Sequence, residues 1–93
     1  MYKKPDEILI CGDENAFSVA DMRTGNLYII NRTAAFILQI ADDWKSKDEL
    51  VLAMASAFRT SSHKELVEKT ESAINRFVEL GLLEIKKQEN END

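Results

Sequence analysis

The stretch GNLYIINRTAA, residues 25–35, marks the point where the chain changes from predicted strands to predicted helices. Gly25 permits the positive φ angle that a tight turn needs. The four apolar residues after Asn26, rich in β-branched and aromatic side chains, predict a strand over residues 26–31. Asn31 is a favourable N-cap residue, so a helix is expected to begin at Arg32.

Two further strands are predicted before this stretch. Residues 8–11 form a short apolar run that ends in a polar Gly-Asp-Glu-Asn turn. In residues 16–21, apolar side chains alternate with small or polar ones, which is typical of a half-buried strand. The polar turn at residues 21–25 then leads into the third strand as a hairpin. Residues 1–7 are polar and are expected to lie outside regular structure.

Three helices are predicted after the third strand. The first, over residues 32–42, is apolar around most of its circumference and is expected to be largely buried. The second and third, over residues 46–58 and 62–80, each begin with a capping-box sequence, Ser followed three residues later by Glu. Gly81 stands where a glycine commonly ends a helix.

Strands followed by helices predict an α+β, winged-helix-like domain with a three-stranded antiparallel sheet followed by three helices. A single domain is the default for 93 residues. It is expected to span residues 1–85, with a short extended segment at residues 82–85. The charged, asparagine-rich residues 86–93 are expected to form a disordered tail.

The formal net charge of −5 argues against a nucleic-acid partner. Binding to a phosphate backbone depends on the release of counterions by basic side chains. The third predicted helix carries four acidic and three basic residues, which is not the charge of a recognition helix. Glu65 and Lys69, four residues apart, are expected to form an ion pair on its solvated face.

The few chemically reactive side chains do not form a catalytic or metal-binding pattern. Cys11 is the only cysteine and is expected to pack within its strand, and the only histidine, His63, is expected to be solvated at a helix start. Asp42 and Asp43 are expected to mark a solvated helix end. The sequence therefore predicts no enzyme, no cofactor and no metal site. It contains neither a signal peptide nor a membrane-spanning run, so we expect a cytoplasmic protein with no membrane partner.

The third predicted strand is apolar on both faces and lies at one edge of the sheet. Leu27 and Ile29 occupy one face, and Tyr28 and Ile30 the other. The strand lacks the lysine or proline with which proteins usually protect an exposed edge. Either residues 1–7 or 82–85 cover the edge, or the edge accepts a partner strand by β-augmentation, with the third helix as the other wall of a groove.

Several segments of the chain resemble the PqqD family, the chaperones of pyrroloquinoline quinone biosynthesis. The resembling stretches are TGNLYIINRTA at residues 24–34 and FVELGLL at residues 77–83, together with the apolar pairs at residues 37–38 and 50–51. The resemblance covers roughly residues 8–85. The family is similar to the RiPP recognition elements, which bind the leader segments of ribosomally made precursor peptides in lasso-peptide, sactipeptide and other pathways.

The resemblance implies a function and a site. The leader would add to the third strand and lie against the third helix, and the domain would deliver it to a modifying enzyme or leader peptidase. The pathway stays open among lasso-peptide, pyrroloquinoline quinone and other RiPP systems, and the alternative function is a winged-helix transcriptional regulator or protein–protein adaptor. The implied peptide-binding residues are Leu27, Tyr28, Ile29, Ile30, Asn31, Val67, Thr70, Glu71, Ile74 and Phe77.

Overall fold

A three-stranded antiparallel sheet precedes three helices in the computed structural model, which describes residues 1–12, 16–59 and 62–87. The predicted α+β, winged-helix-like fold class is thus confirmed. Two short strands at the ends of the domain form a second sheet. In chain order the elements are β1 (Tyr2–Lys3), β2 (Ile8–Gly12), β3 (Phe17–Asp21), β4 (Asn26–Ile30), α1 (Arg32–Ile40), α2 (Lys47–Ala57), α3 (His63–Leu80) and β5 (Glu84–Ile85).

The main sheet has the order β2-β3-β4. Its two antiparallel pairs place Val19 at the centre, opposite Ile10 on one side and Tyr28 on the other. Because side chains alternate along a strand, this row faces the helices. The next row along, Leu9, Ala20 and Leu27, faces away from them.

The helix boundaries follow from local capping. The Asn31 side chain accepts a hydrogen bond of 2.8 Å from the backbone N–H of Ala34, which confirms Asn31 as the N-cap of α1. Ser46 and Glu49 form the complete predicted capping box at α2. At α3, the described contacts include only one of the two hydrogen bonds of a capping box, the bond from Glu65 N–H to the Ser62 side chain at 3.2 Å. Gly81, with φ of +78°, ends α3 in the left-handed region.

The core lies between the inner face of the sheet and the three helices. Each large apolar side chain that is fully buried contributes roughly 1.5–3 kcal/mol through the hydrophobic effect. The α1 helix supplies two such side chains, as its apolar pattern predicts, and ends at Ile40, short of the predicted residue 42. The largest fully buried apolar side chains are Ile8, Val19, Ile37, Leu38, Leu50, Met54, Ile74 and Leu82.

The N-terminal segment is ordered, contrary to the prediction for residues 1–7. β1 pairs with β5, and the backbone N–H of Tyr2 donates to the carbonyl of Lys45 at 2.7 Å. Lys4 N–H donates to the carbonyl of Ala41 at the same distance. The segment is therefore held by two partners distant in sequence, β5 and the loop between α1 and α2. Lys86 N–H still bonds Met1 at 2.9 Å, and the rest of the predicted tail beyond residue 87 lies outside the described residues.

Candidate functional site

The outer edge of β4 is open in the part of the chain that the structure describes. β4 pairs with β3 alone, whereas β1 and β5 pair with each other in a separate sheet. The two segments that might have covered the edge are therefore used elsewhere. β4 contains neither lysine nor proline, so its backbone is accessible to another strand.

The backbone groups of Leu27 and Ile29 point toward this open edge. Met22 N–H donates to the Glu7 carbonyl at 3.0 Å, a bond that flanks the Ile8–Asp21 pair and makes it a non-hydrogen-bonded pair. Asp21 therefore directs its own N–H and C=O groups toward β4. Since these directions alternate along a strand, Tyr28 bonds to β3, and Leu27 and Ile29 face outward.

The two faces of β4 differ in exposure. The side chains of Leu27 and Ile29 are 67% and 73% exposed, whereas Tyr28 and Ile30 are half-buried and pack against the core. Cys11 lies on the same outer face as Ile29 and is exposed, so the expectation that it packs in the interior is wrong. Alternation places it outward together with the exposed Leu9.

The β4 strand runs alongside the C-terminal half of α3. At the start of the strand, Arg23 in the β3–β4 turn donates from Nη2 to the carbonyl of Gly81 at 2.7 Å, directly after α3. Past the end of the strand, Asn31 shares a groove with Lys69 and Arg76 of α3. The strand and the helix therefore run in opposite directions, and the groove opens where β4 gives way to α1.

Asp21 holds the turn that makes this alignment possible. Its carboxylate accepts hydrogen bonds from Arg23 Nε at 3.0 Å and Nη2 at 3.1 Å. The side-chain hydrogen bond from Arg23 lowers the pKa of Asp21, and burial opposes that shift. Asp21 is buried, whereas Arg23 reaches past it to α3. The ion pair thus fixes a side chain that ties the hairpin to the end of α3.

The groove between the first turn of α1 and α3, called the α3 groove here, has a volume of about 520 Å³. Its walls combine small side chains with two cations, Lys69 and Arg76, and no acidic residue lines it. Such a surface admits an extended chain close to the helix backbone. The lining residues are Asn31, Thr33, Ala34, Lys69, Ser72, Ala73 and Arg76.

The structure brings together the predicted strand residues but separates the predicted helix residues. Residues 27–31 all lie on β4 or directly after it. Thr70, Ile74 and Phe77 are at most 3% exposed and have almost no surface to offer a peptide in this conformation.

Val67 and Glu71 lie on the side of α3 that faces α2. Val67 lines a second hollow with Val51, and Glu71 forms an ion pair of 2.7 Å with Lys47. That hydrogen bond raises the pKa of Lys47. The α3 side chains that do line the groove are Lys69, Ser72, Ala73 and Arg76, at positions i, i+3, i+4 and i+7. This second stripe beside the apolar one is the signal that could have found them.

The described residues contain no cluster of three His, Cys, Asp or Glu side chains suited to a metal ion. His63 is exposed at the start of α3, as predicted. No described helix is both long and apolar enough to cross a membrane.

Comparison with known proteins gives a match at the level of structure. No protein-family model and no curated protein matches the chain. A solved structure of TbiB1 in complex with the TbiA(beta) leader peptide has a TM-score of 0.74 at 14% identity, covering 92% of this chain and 99% of TbiB1. A lasso peptide synthetase B1 complexed with the leader peptide has a TM-score of 0.71 at 18% identity, covering 90% and 98%. Over nearly its whole length, the chain therefore has the fold that its resemblance to the RiPP recognition elements implies.

Proposed function

We propose that this chain is a non-catalytic RiPP recognition element that binds the leader segment of a ribosomally made precursor peptide. The leader adds as a fourth strand at the open edge of β4 and lies against α3. The open edge, with the outward backbone groups of Leu27 and Ile29, is the observation that carries the proposal.

Affinity in this mode comes from the backbone. Each hydrogen bond between the leader and β4 contributes roughly 0.5–1.5 kcal/mol net. The two outward-facing residues offer two N–H donors and two C=O acceptors to the new strand. Because these groups are the same for any sequence, they supply affinity without selecting a particular leader.

Selectivity comes from the alternate side chains of the added strand. One set lies on the side of Tyr28 and Ile30, whose half-buried side chains border the core, and reaches toward α3. The other set lies beside Leu27 and Ile29 and extends the exposed outer face. The two sets therefore meet different surfaces, so that a leader is recognised on one side and displayed on the other.

The similar structures support a biosynthetic role of this kind. TbiB1 and the lasso peptide synthetase B1 were each solved with a leader peptide bound. By analogy, the domain delivers its precursor to a modifying enzyme or a leader peptidase in the cytoplasm, in a lasso-peptide, pyrroloquinoline quinone or other RiPP pathway. Anchoring the leader raises the effective concentration of the core peptide at that enzyme, so no catalytic residue is needed in this domain.

An amide NMR titration tests the proposal. The probes are synthetic N-terminal segments of the peptides encoded by short open reading frames beside this gene, with scrambled peptides of equal composition as controls. We expect saturable shifts in residues 26–31 and in the groove-lining part of α3, and smaller ones at Val67 and Glu71. The proposal fails if no neighbouring leader causes saturable shifts, or if the shifts centre on the hollow between α2 and α3.

A further inference from the structure

The α3 groove carries positive charge in a chain that is negative overall. Lys69 and Arg76 line it and are exposed, and neither forms an ion pair with any other described residue. The predicted Glu65–Lys69 pair is not formed. Lys69 instead borders the groove. The neighbouring Glu65 and Glu68 are exposed but do not line it, and Glu71 is bonded to Lys47.

The opposite wall adds charge of the same sign. It consists of Asn31, Thr33 and Ala34, the N-cap and first turn of α1. The N-terminal end of a helix has a partial positive charge, and no acidic side chain in the first turn of α1 offsets it. The two cations of α3 supply most of the positive charge of the groove, and the partial charge of the α1 terminus adds to it.

From this charge distribution, and resting on the proposed function, we propose that the groove selects a leader with an acidic segment. One or more Asp or Glu side chains of the leader bind between Lys69 and Arg76 as the added strand passes the Asn31 end of β4. The leader itself is the occupant, because Asn31, which lines the groove, follows directly after the open edge strand to which the leader adds.

The spacing of the two cations limits the pattern of acidic residues. Seven residues of α-helix separate Lys69 from Arg76, which is about 10 Å along the helix axis. In an extended peptide, side chains on one face are about 7 Å apart at two residues and about 13 Å apart at four. The long cationic side chains accommodate either distance. A pair of acidic residues two or four positions apart therefore fits the groove.

A charge-reversal experiment tests this selection. The double variant Lys69→Glu/Arg76→Glu changes the groove, and Lys64→Glu/Arg59→Glu makes the same change in net charge at exposed positions outside it. The ligand is the neighbouring-gene leader that gives the strongest NMR response, together with a form in which its Asp and Glu residues are replaced by Lys. Circular dichroism verifies the fold of each variant, and Kd is measured by isothermal titration.

The expected result is a reciprocal change. Each exposed ion pair is worth about 1.5- to 5-fold in affinity, so the loss of two pairs weakens the acidic leader by about 2- to 25-fold. Repulsion from the two reversed charges adds to this loss, and we expect an increase in Kd of about tenfold. The control variant changes its Kd by less than about twofold. The lysine-substituted leader binds the reversed groove more tightly than it binds the unmodified protein, which a merely structural role for these residues would not produce.

The outcomes separate the two proposals. If the leader binds and shifts β4, but the groove variant and the control variant have the same Kd, the acidic selection is wrong and the strand-addition function stands. The selection is also wrong if the leader that binds has no acidic residue in the segment beside α3. If no leader binds the unmodified protein, both proposals are overturned.

Discussion

Replacement of Ile29 by proline should abolish most of the leader affinity while the domain stays folded. Ile29 directs its backbone N–H away from β3, so proline removes a donor that the native sheet does not use. Its side chain is 73% exposed, so loss of the side chain itself should change the free energy of unfolding by less than about 0.5 kcal/mol. Some further cost arises from the fixed φ angle of proline, which edge strands tolerate.

The expected loss of binding follows from one missing hydrogen bond and the partner that it leaves unsatisfied. Leaving one carbonyl of the leader buried without a donor costs about 1–3 kcal/mol. This corresponds to an increase in Kd of about 5- to 150-fold. Isothermal titration with the leader measures Kd, and urea unfolding measures stability. Ile29→Val is the matched control because it keeps both the N–H group and a β-branched side chain.

Tyr28→Pro gives the contrasting result. Its N–H faces β3, so proline there removes a bond of the native sheet and should destabilise the domain more than Ile29→Pro does. If Ile29→Pro is folded and its Kd equals that of Ile29→Val, leader binding does not use this edge and the strand-addition argument is refuted.

Three further perturbations test the parts of the structure that hold the site. The pKa of Asp21 is lowered, chiefly by the hydrogen bond from Arg23. The contribution of this shift to stability is complete above the unfolded pKa of about 3.9 and is lost as pH falls through the lower folded pKa. In this acid range, the urea midpoint of the Arg23→Leu variant should therefore depend less on pH than that of the unmodified protein. Thr70 is fully buried and its hydroxyl has no hydrogen-bond partner among the described residues. Thr70→Val should therefore raise the free energy of unfolding by about 1 kcal/mol and leave the Kd for the leader unchanged. A higher Kd would show that Thr70 contributes to leader binding. Leu38→Ala, at a fully buried position of α1, should lower the free energy of unfolding by about 2–5 kcal/mol, and a loss below 1 kcal/mol would contradict the central position of α1.

The elements of the fold were predictable because local signals and packing agree. Asn31 and Ser46 cap helices where the sequence places them, and Gly81 ends α3. The ordered N-terminus was not predictable, since β1 depends on β5, which lies more than eighty residues away in sequence. Two-residue strands carry no periodicity of their own. The prediction for residues 1–7 lacked the information that only tertiary structure supplies.

The candidate site was predictable on one wall only. On β4, alternation alone separates Leu27 and Ile29 from the inward residues, so the sequence defines both faces. On α3, three of the residues that the resemblance implies, Thr70, Ile74 and Phe77, pack in the core and are at most 3% exposed. The groove is formed by the adjacent stripe, where Ser72 and Ala73 are small enough to leave space. Apolar character predicts burial, and the candidate groove lies at the border of the buried face.

Net charge and local charge lead to different conclusions about partners. At physiological ionic strength the Debye length is about 8 Å, so a bound peptide experiences mainly the groups that border its groove. A DNA backbone would cover a wider surface and would meet the exposed Glu68 and Glu79 on the same helix as Lys69 and Arg76. In the proposed complex, a single extended strand at β4 would meet the two cations and would cover less of the acidic surface than a DNA duplex does. The net charge of −5 therefore disfavours a nucleic acid and is compatible with an acidic leader. Both ligands are negatively charged, but the leader covers a much narrower strip of the protein surface.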